Sequence, residues 1–205
     1  MESIVYIVDD DRLARESLMW LIESANLPVR EFDGGLSFLD NYEVGTPGCV
    51  LLDVRMPDIN GMELYAKLKE KDANIPVIIV TGHADVSMAV RAMKAGAYDF
   101  IEKPYNDALM LERIQSAIAY DLDNQKNRER INDINLRVGK LTPREFEVMN
   151  CVLRSMQNKL IASELGISIK TVEIHRANLM TKMQASSPTE LVRLALIAGL
   201  DKGWL

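Results

Sequence analysis

From Ser3 to Tyr120 the chain repeats one pattern five times: a short apolar run, a turn, then a stretch with hydrophobic residues at helical spacing. The runs are SIVYIV (3–8), PVREF (28–32), CVLLD (49–53), PVIIV (76–80) and YDFIE (98–102). Between and after them come Arg12 to Ala25 with Leu13, Leu18, Leu21 and Ile22; GLSFLDNY; GMELYAKLKEK with Met62, Leu64, Tyr65 and Leu68; DVSMAVRAMKAG; and NDALMLERIQSAIAY. Gly96 closes the fourth of these as a C-terminal cap. Runs that are nearly continuous rather than alternating in polarity are buried on both faces. Such strands lie parallel, in a sheet with helices on either side.

The pattern therefore predicts a flavodoxin-like, doubly wound (βα)5 domain over residues 1–120, for which strand order 2-1-3-4-5 is the common arrangement. Residues 121–139 are polar and charged, with Leu122, Ile131, Ile134 and Val138 at sparse helical spacing. They predict a linker that continues the preceding helix to about Leu136 and breaks near Gly139; a disordered tether is the alternative. Residues 140–205 change character to an all-α domain of four short helices. Thr142, Pro143 and Glu145 form a capping box with proline at the first helical position. SPTE (187–190) repeats that arrangement, and Asn158 and Ser168 are candidate caps for two helices separated by Gly166.

Charge follows the same division. Residues 139–205 carry nine Lys/Arg against six Asp/Glu, and the remainder fifteen against 24. An acidic half joined to a mildly basic half points to two tasks, with nucleic acid a candidate partner for the basic one; a margin of +3 is a hint and no more. No run approaches a membrane span, and no basic leader precedes the first strand. Cys49 and Cys151, far apart and each beside apolar residues, read as reduced core residues of a cytoplasmic protein rather than a disulfide.

In a doubly wound sheet the residues following the strands converge on one crevice. Here those ends carry Asp9-Asp10-Asp11, Asp53, Thr81-Gly82 and Lys103-Pro104. Three carboxylates in one crevice cannot all stay ionised without a counter-charge. Mg²⁺, which takes carboxylates, carbonyls and water, supplies one. A metal-neutralised aspartate is a nucleophile toward phosphorus, and Lys103 and Thr81 can bind phosphoryl oxygens. Taken singly, Asp10 or Asp11 could cap a helix, Thr81 could simply end its strand, and Lys103 could be a solvated lysine.

The segments VDDD, LLDVRMPDINGMEL and VTGHADVSMAVRAMKAGAYDFIEKP resemble the receiver domain of two-component response regulators. The resemblance implies Asp53 as phosphoacceptor, and a Mg²⁺ site of Asp9, Asp10, Asp53 and the Arg55 carbonyl. Thr81 and Lys103 would bind phosphate, Thr81 and Phe100 would switch conformation, and Lys103-Pro104 would be cis. Asp11 departs mildly, since close relatives often carry Glu there. LTPREFEV, NKLIA, IASELGISIKTVEIHRANLM and SPTELVRLA resemble LuxR-type helix-turn-helix output domains. Ala162, Gly166 and Val172 sit at the spacing such packing needs, although three-helix packing without DNA fits the spacing alone. Ser155 replaces a usual glycine, and Ala185 a usual β-branched residue.

The whole chain is similar to FixJ-type response regulators. The resemblance implies a cytoplasmic transcription regulator, not an enzyme, phosphorylated by a sensor histidine kinase and forming a homodimer on promoter DNA, with RNA polymerase as a further partner. Glu173, Ile174 and Ala177 would face base edges; Lys159, Lys170, Thr171, His175, Arg176 and Lys182 would contact phosphates. Glu173 could instead be a solvated or Arg176-paired charge. Val86, Met88, Ala89 and Met93 are candidates for a receiver dimer face. Leu191, Val192, Leu194, Ala195 and Leu196 are candidates for a DNA-bound dimer contact or for core. Two rival functions remain: a Mg²⁺-dependent phosphohydrolase, although position 55 is Arg where haloacid-dehalogenase-type enzymes place a second Asp, and a constitutive DNA binder with the receiver as scaffold.

Overall fold

The computed structural model describes residues 2–71 and 74–200 and divides into two compact units, Met1–Gln125 and Lys126–Leu205. The first contains β1 (Ile4–Val8), α1 (Arg12–Ser24), β2 (Val29–Phe32), α2 (Gly35–Asn41), β3 (Gly48–Leu52), α3 (Gly61–Glu70), β4 (Val77–Thr81), α4 (Val86–Ala95) and β5 (Asp99–Glu102). The strands are all parallel in the order β2-β1-β3-β4-β5. This is the predicted doubly wound sheet, with β1 at the point where the order reverses.

Side-chain alternation explains why the central strands are apolar throughout. Tyr6, Val8, Val50, Leu52, Val77 and Ile79 point to one face, where Phe38, Leu64, Leu68 and Ala92 of α2, α3 and α4 cover them. Val5, Ile7, Cys49, Leu51, Ile78 and Val80 point to the other, against Leu18 and Ile22 of α1 and Met110, Ile114 and Ala117 of the helix that follows β5, α5 (Asp107–Val138). Each residue step along a strand thus feeds one of two cores.

The helix α5 is one continuous element, Asp107–Val138, of 32 residues. The segment expected to be a linker is helical to Val138, two residues beyond the predicted end, and it is anchored near both ends. Asp121 is buried, its Oδ2 accepting the Gly48 backbone N–H at 3.0 Å and the Gln125 side-chain amide at 2.9 Å, and Leu122 packs on the core of the first unit. Ile134 is buried in the core of the second unit, with Val138 packed beside it.

The second unit adds α6 (Pro143–Leu153), α7 (Asn158–Leu165), α8 (Ile169–Met183) and α9 (Pro188–Ile197). The Thr142–Glu145 capping box is complete, and Ser168 caps α8 through the Thr171 N–H. Two expected caps differ. Gln157, not Asn158, is the residue before α7, and Asn158 instead accepts a hydrogen bond from Arg176. Ser187 caps α9, but Glu190 reaches past it to the backbone and hydroxyl of Ser186. Ser155 adopts φ 60°, so the turn that usually holds glycine is kept. Ala185 is buried in the core of this unit, and both cysteines are free and buried. Among the described residues no helix is long and apolar enough to cross a membrane.

Candidate functional site

Four strand ends meet at one rim. Asp9 follows β1, Asp53 follows β3, Thr81 ends β4 and Lys103 follows β5. Asp9, Asp53 and Thr81 are all buried. The ammonium of Lys103 lies 2.5 Å from Asp9 Oδ2 and 3.2 Å from Asp53 Oδ1. The second oxygen of Asp53 accepts the Arg55 backbone N–H at 2.5 Å, and Asp9 Oδ1 accepts the Asp11 N–H at 2.9 Å. The loop after Asp53 is held tightly. The Gly61 N–H bonds the Val54 carbonyl at 2.9 Å, and a Cβ on Gly61 would lie 2.1 Å from the Asp53 carbonyl oxygen. Only glycine lets α3 start this close to the acidic loop. Thr81 Oγ1 accepts the His83 N–H at 3.4 Å, and the Lys103-Pro104 bond is cis.

The electrostatics of this rim are unbalanced. Burial raises the Asp53 carboxyl above its usual range, and Asp9 adds to the rise; Lys103 and the Arg55 N–H oppose it without cancelling it. Burial pulls Lys103 down, but its hydrogen bond to Asp9 and the charges of Asp9 and Asp53 raise it overall, so the ammonium persists. Two buried carboxylates share one ammonium, with Asp10 exposed beside them. The donors are hard oxygens and the excess charge is negative, which fits a small divalent cation such as Mg²⁺. Among the described residues no three acidic, histidine or cysteine side chains already stand in a ligand cluster, and Lys103 bridges the two buried acids.

The second unit presents a different surface. Gly166 takes φ +66° between α7 and α8, the left-handed geometry the turn requires. Val172, Leu179 and Met183 bury one side of α8. Lys170, Glu173, Ile174, Ala177 and Asn178 lie exposed, at the i, i+3, i+4, i+7, i+8 spacing of one helical face. Ile174 is 54% exposed, high for an isoleucine in a folded unit.

Two family models match the chain: the response regulator receiver domain over residues 5–115, and the bacterial regulatory proteins of the luxR family over residues 139–195. The transcriptional regulatory protein FixJ of Bradyrhizobium diazoefficiens is 46% identical over 196 residues, covering 96% of each chain. The chain belongs to the FixJ-type response regulators. Among solved structures, the response regulator StyR matches with a TM-score of 0.86 at 37% identity, covering 96% of this chain and 99% of that one. Full-length FixJ from B. japonicum matches with a TM-score of 0.59 at 45% identity, covering 98% of both. This response regulator is a two-component transcription regulator with a receiver and a LuxR-type DNA-binding domain. It is not a conventional enzyme.

Several residues of the response regulator lie elsewhere than expected. Asp11 is the N-cap of α1, its Oδ1 accepting the Leu13 and Ala14 N–H groups, and so does not reach the rim. Lys182 does not stand free for phosphate: its ammonium lies 2.6 Å from Glu145 Oε2, on a carboxylate the capping box already holds. Arg176 is half-buried on Asn158, and Thr171 shares a hydrogen bond with Ser168; His175 is half-buried. Lys159 and Lys170 are exposed, and Glu173 forms no ion pair among the described residues. Of the α9 run, Leu191, Leu194 and Ala195 are core and Val192 packs against it, because that face of α9 closes the second unit; Leu196 alone is 53% exposed. On α4, Met88 packs on the core, while Val86, Val90 and Met93 are exposed; Val90 and the exposed Asn178 of α8 escaped the sequence reading, although helical spacing from Val86 and Ile174 marks both. Phe100 and Ala89 line a surface groove of about 410 Å³ with Ala84, Asp85, Val86 and Glu102.

Proposed function

We propose that this regulator is switched by phosphorylation of Asp53 from a sensor histidine kinase, and that the switch drives dimerisation and operator binding in the cytoplasm, where promoter DNA and RNA polymerase are found. The observation that carries the proposal is the buried Asp53 carboxylate. It is fixed on one side by the Arg55 N–H and on the other by Lys103, at the mouth of a charge-unbalanced rim.

A carboxylate oxygen of Asp53 attacks the phosphorus of a phosphohistidine. The P–N bond breaks, its electrons return to the imidazole, and an acyl phosphate remains on Asp53. Asp9, Asp10, Asp53 and the Arg55 carbonyl are the residues that would hold Mg²⁺, which supplies neutralising positive charge for this transfer. The Lys103 ammonium turns from bridging two carboxylates to pairing with the phosphoryl oxygens. The Thr81 hydroxyl gives up the weak hydrogen bond from His83 and donates to another phosphoryl oxygen, and Phe100 moves into the space vacated beside β4. These shifts reshape the groove against α4. A second receiver then meets Val86, Val90 and Met93, whose exposed apolar surface a monomer has no use for.

Joining two receivers raises the effective concentration of two output domains on paired half-sites. On α8, Ile174 and Ala177 suit thymine methyl groups, Glu173 accepts from cytosine N4, and Asn178 suits adenine. Lys159, Lys170 and the half-buried Thr171, His175 and Arg176 supply phosphate contacts. The test is Asp53→Asn. Expected are no phosphate incorporation from a phosphorylated kinase or an acyl phosphate, no phosphate-dependent dimer in light scattering, and operator affinity indifferent to donor. Wild-type levels of dimer and operator binding in that variant would sink the proposal.

A further inference from the structure

The loop bearing the two site acids is held by a residue with no assigned role. Arg15 lies in the first turns of α1 and its side chain is only 13% exposed. One terminal guanidinium nitrogen, Nη1, donates to the carbonyl oxygens of both Asp9, at 2.8 Å, and Asp10, at 3.1 Å. Its Nε lies 3.7 Å from Glu31 Oε2 on β2. The consequence runs through a single peptide plane. The Asp10 carbonyl is fixed on Arg15, and the N–H at the other end of that peptide belongs to Asp11, which donates to Asp9 Oδ1 at 2.9 Å. A trans peptide is rigid, with C=O and N–H pointing in opposite directions. Fixing its carbonyl end on Arg15 therefore aims its N–H end at the Asp9 carboxylate. That carboxylate in turn presents its other oxygen to Lys103 at 2.5 Å.

We propose that Arg15 is a positioning residue for the cation site. By clamping both carbonyls it sets the Asp10–Asp11 peptide, and through it the orientation of Asp9, so that Asp9 and Asp10 stand ready for a divalent cation. This rests on the reading of the rim as a Mg²⁺-assisted phosphoacceptor site. The charge on Arg15 acts in the same direction: a guanidinium behind three successive aspartates lowers the repulsion among them. Methionine, an apolar replacement, offers neither donor nor charge. A lysine retains the charge and a donor, but its single nitrogen cannot meet the carbonyls and face Glu31 at once, as Nη1 and Nε of Arg15 do.

The test is Mg²⁺ binding to the full chain by calorimetry, for wild type, Arg15→Met and Arg15→Lys, with thermal melts alongside. Arg15→Met is expected to weaken Mg²⁺ about tenfold and Arg15→Lys about threefold. The rate of Asp53 phosphorylation by an acyl phosphate should return to within about twofold of wild type at saturating Mg²⁺, a split that a merely loosened fold would not show. Wild-type Mg²⁺ affinity in Arg15→Met overturns the proposal, as does a rate defect that Mg²⁺ leaves unrepaired. Should Arg15→Met fail to fold, Arg15→Lys decides: weakened binding supports the clamp, unchanged binding overturns it. Failure of the parent reading looks different, because wild type itself would then take up no Mg²⁺.

Discussion

The receiver rim and the exposed face of α8 are built on opposite plans. The rim gathers four side chains from four strand ends, buries three of them and leaves their charges in unresolved competition around Lys103. The α8 face spreads its polar and apolar groups along one helix, exposed, over a core of Val172, Leu179 and Met183. A site that does covalent chemistry is preorganised before its substrate arrives. A surface that reads DNA has its geometry supplied by a rigid mount and its energy by the partner. Substitutions in the rim should accordingly alter stability and chemistry together, whereas on α8 the two should separate.

The largest effect is expected where the α8 face proposed to read DNA meets its mount. Leu179→Ala removes a fully buried side chain from a small unit and should cost about 2–5 kcal/mol. Urea unfolding followed by circular dichroism should show loss of the second unit, and operator binding should vanish while Asp53 still takes up phosphate. Loss of phosphorylation in that variant would break the comparison. Next comes Lys103→Met, which strands two buried carboxylates without their cation. Lys103 is 22% exposed, so the cost falls near the lower end of the range for a broken buried pair, about 3 kcal/mol. Thermal and urea melts at neutral pH check it, and Mg²⁺ should restore part of the loss.

The third effect separates the two plans by sign. The Asp53 carboxyl titrates above its ordinary range because of burial, so between its unfolded and folded values the folded state holds the extra proton. Its contribution to stability is therefore present at low pH and is lost as pH rises through the folded value. Glu145, in the second unit, behaves oppositely. Its hydrogen bond from Lys182 and the backbone N–H of Thr142 hold it below its ordinary range, so it stabilises above the unfolded value and fails as pH falls. Asp53→Asn should gain stability over wild type as pH is raised from about 4 to 7, whereas Glu145→Gln should lose it over the same interval. Paired denaturant melts across that interval measure both, and parallel slopes would refute the contrast.

How much of this was legible in the sequence follows from the same difference. Doubly wound strands ending in Asp, Asp, Thr and Lys announce a rim, because topology alone brings strand ends together. What stayed hidden there was held by backbone groups. Arg15 acts on carbonyl oxygens and Asp121 on the N–H of Gly48, and neither partner has a residue letter. Asp11, adjacent to two site acids, caps α1 by accepting the Leu13 and Ala14 N–H groups, one of the two roles its chemistry allowed. On α8 the exposed face follows from helical period, but the fate of long cations does not. A lysine's reach allows many endings, and Lys182 found a buried carboxylate across the unit. In α9 the sequence left five aliphatic residues open between dimer contact and core; three are core and a fourth packs on it, because which face a short helix buries depends on the neighbours it meets.

That contrast between cations gives the smallest and sharpest prediction. Lys170 is exposed on the α8 face proposed to read DNA, and Lys182 is tied to Glu145 at 2.6 Å. A lysine that touches phosphate releases counterions when it binds. Its removal should lower the slope of log affinity against log salt by about 1 and weaken binding to specific and nonspecific DNA alike. Lys170→Ala should do this with no change in thermal stability. Lys182→Ala should do the reverse: the salt slope stays at the wild-type value, while the second unit melts at a lower temperature because Glu145 has lost its cation. Fluorescence anisotropy over a salt series, with melts of the same samples, measures both quantities. A reduced salt slope in Lys182→Ala would mean that this lysine leaves Glu145 for the phosphate backbone when DNA arrives. The separation of mount from reading surface in the output domain would then fail at that residue.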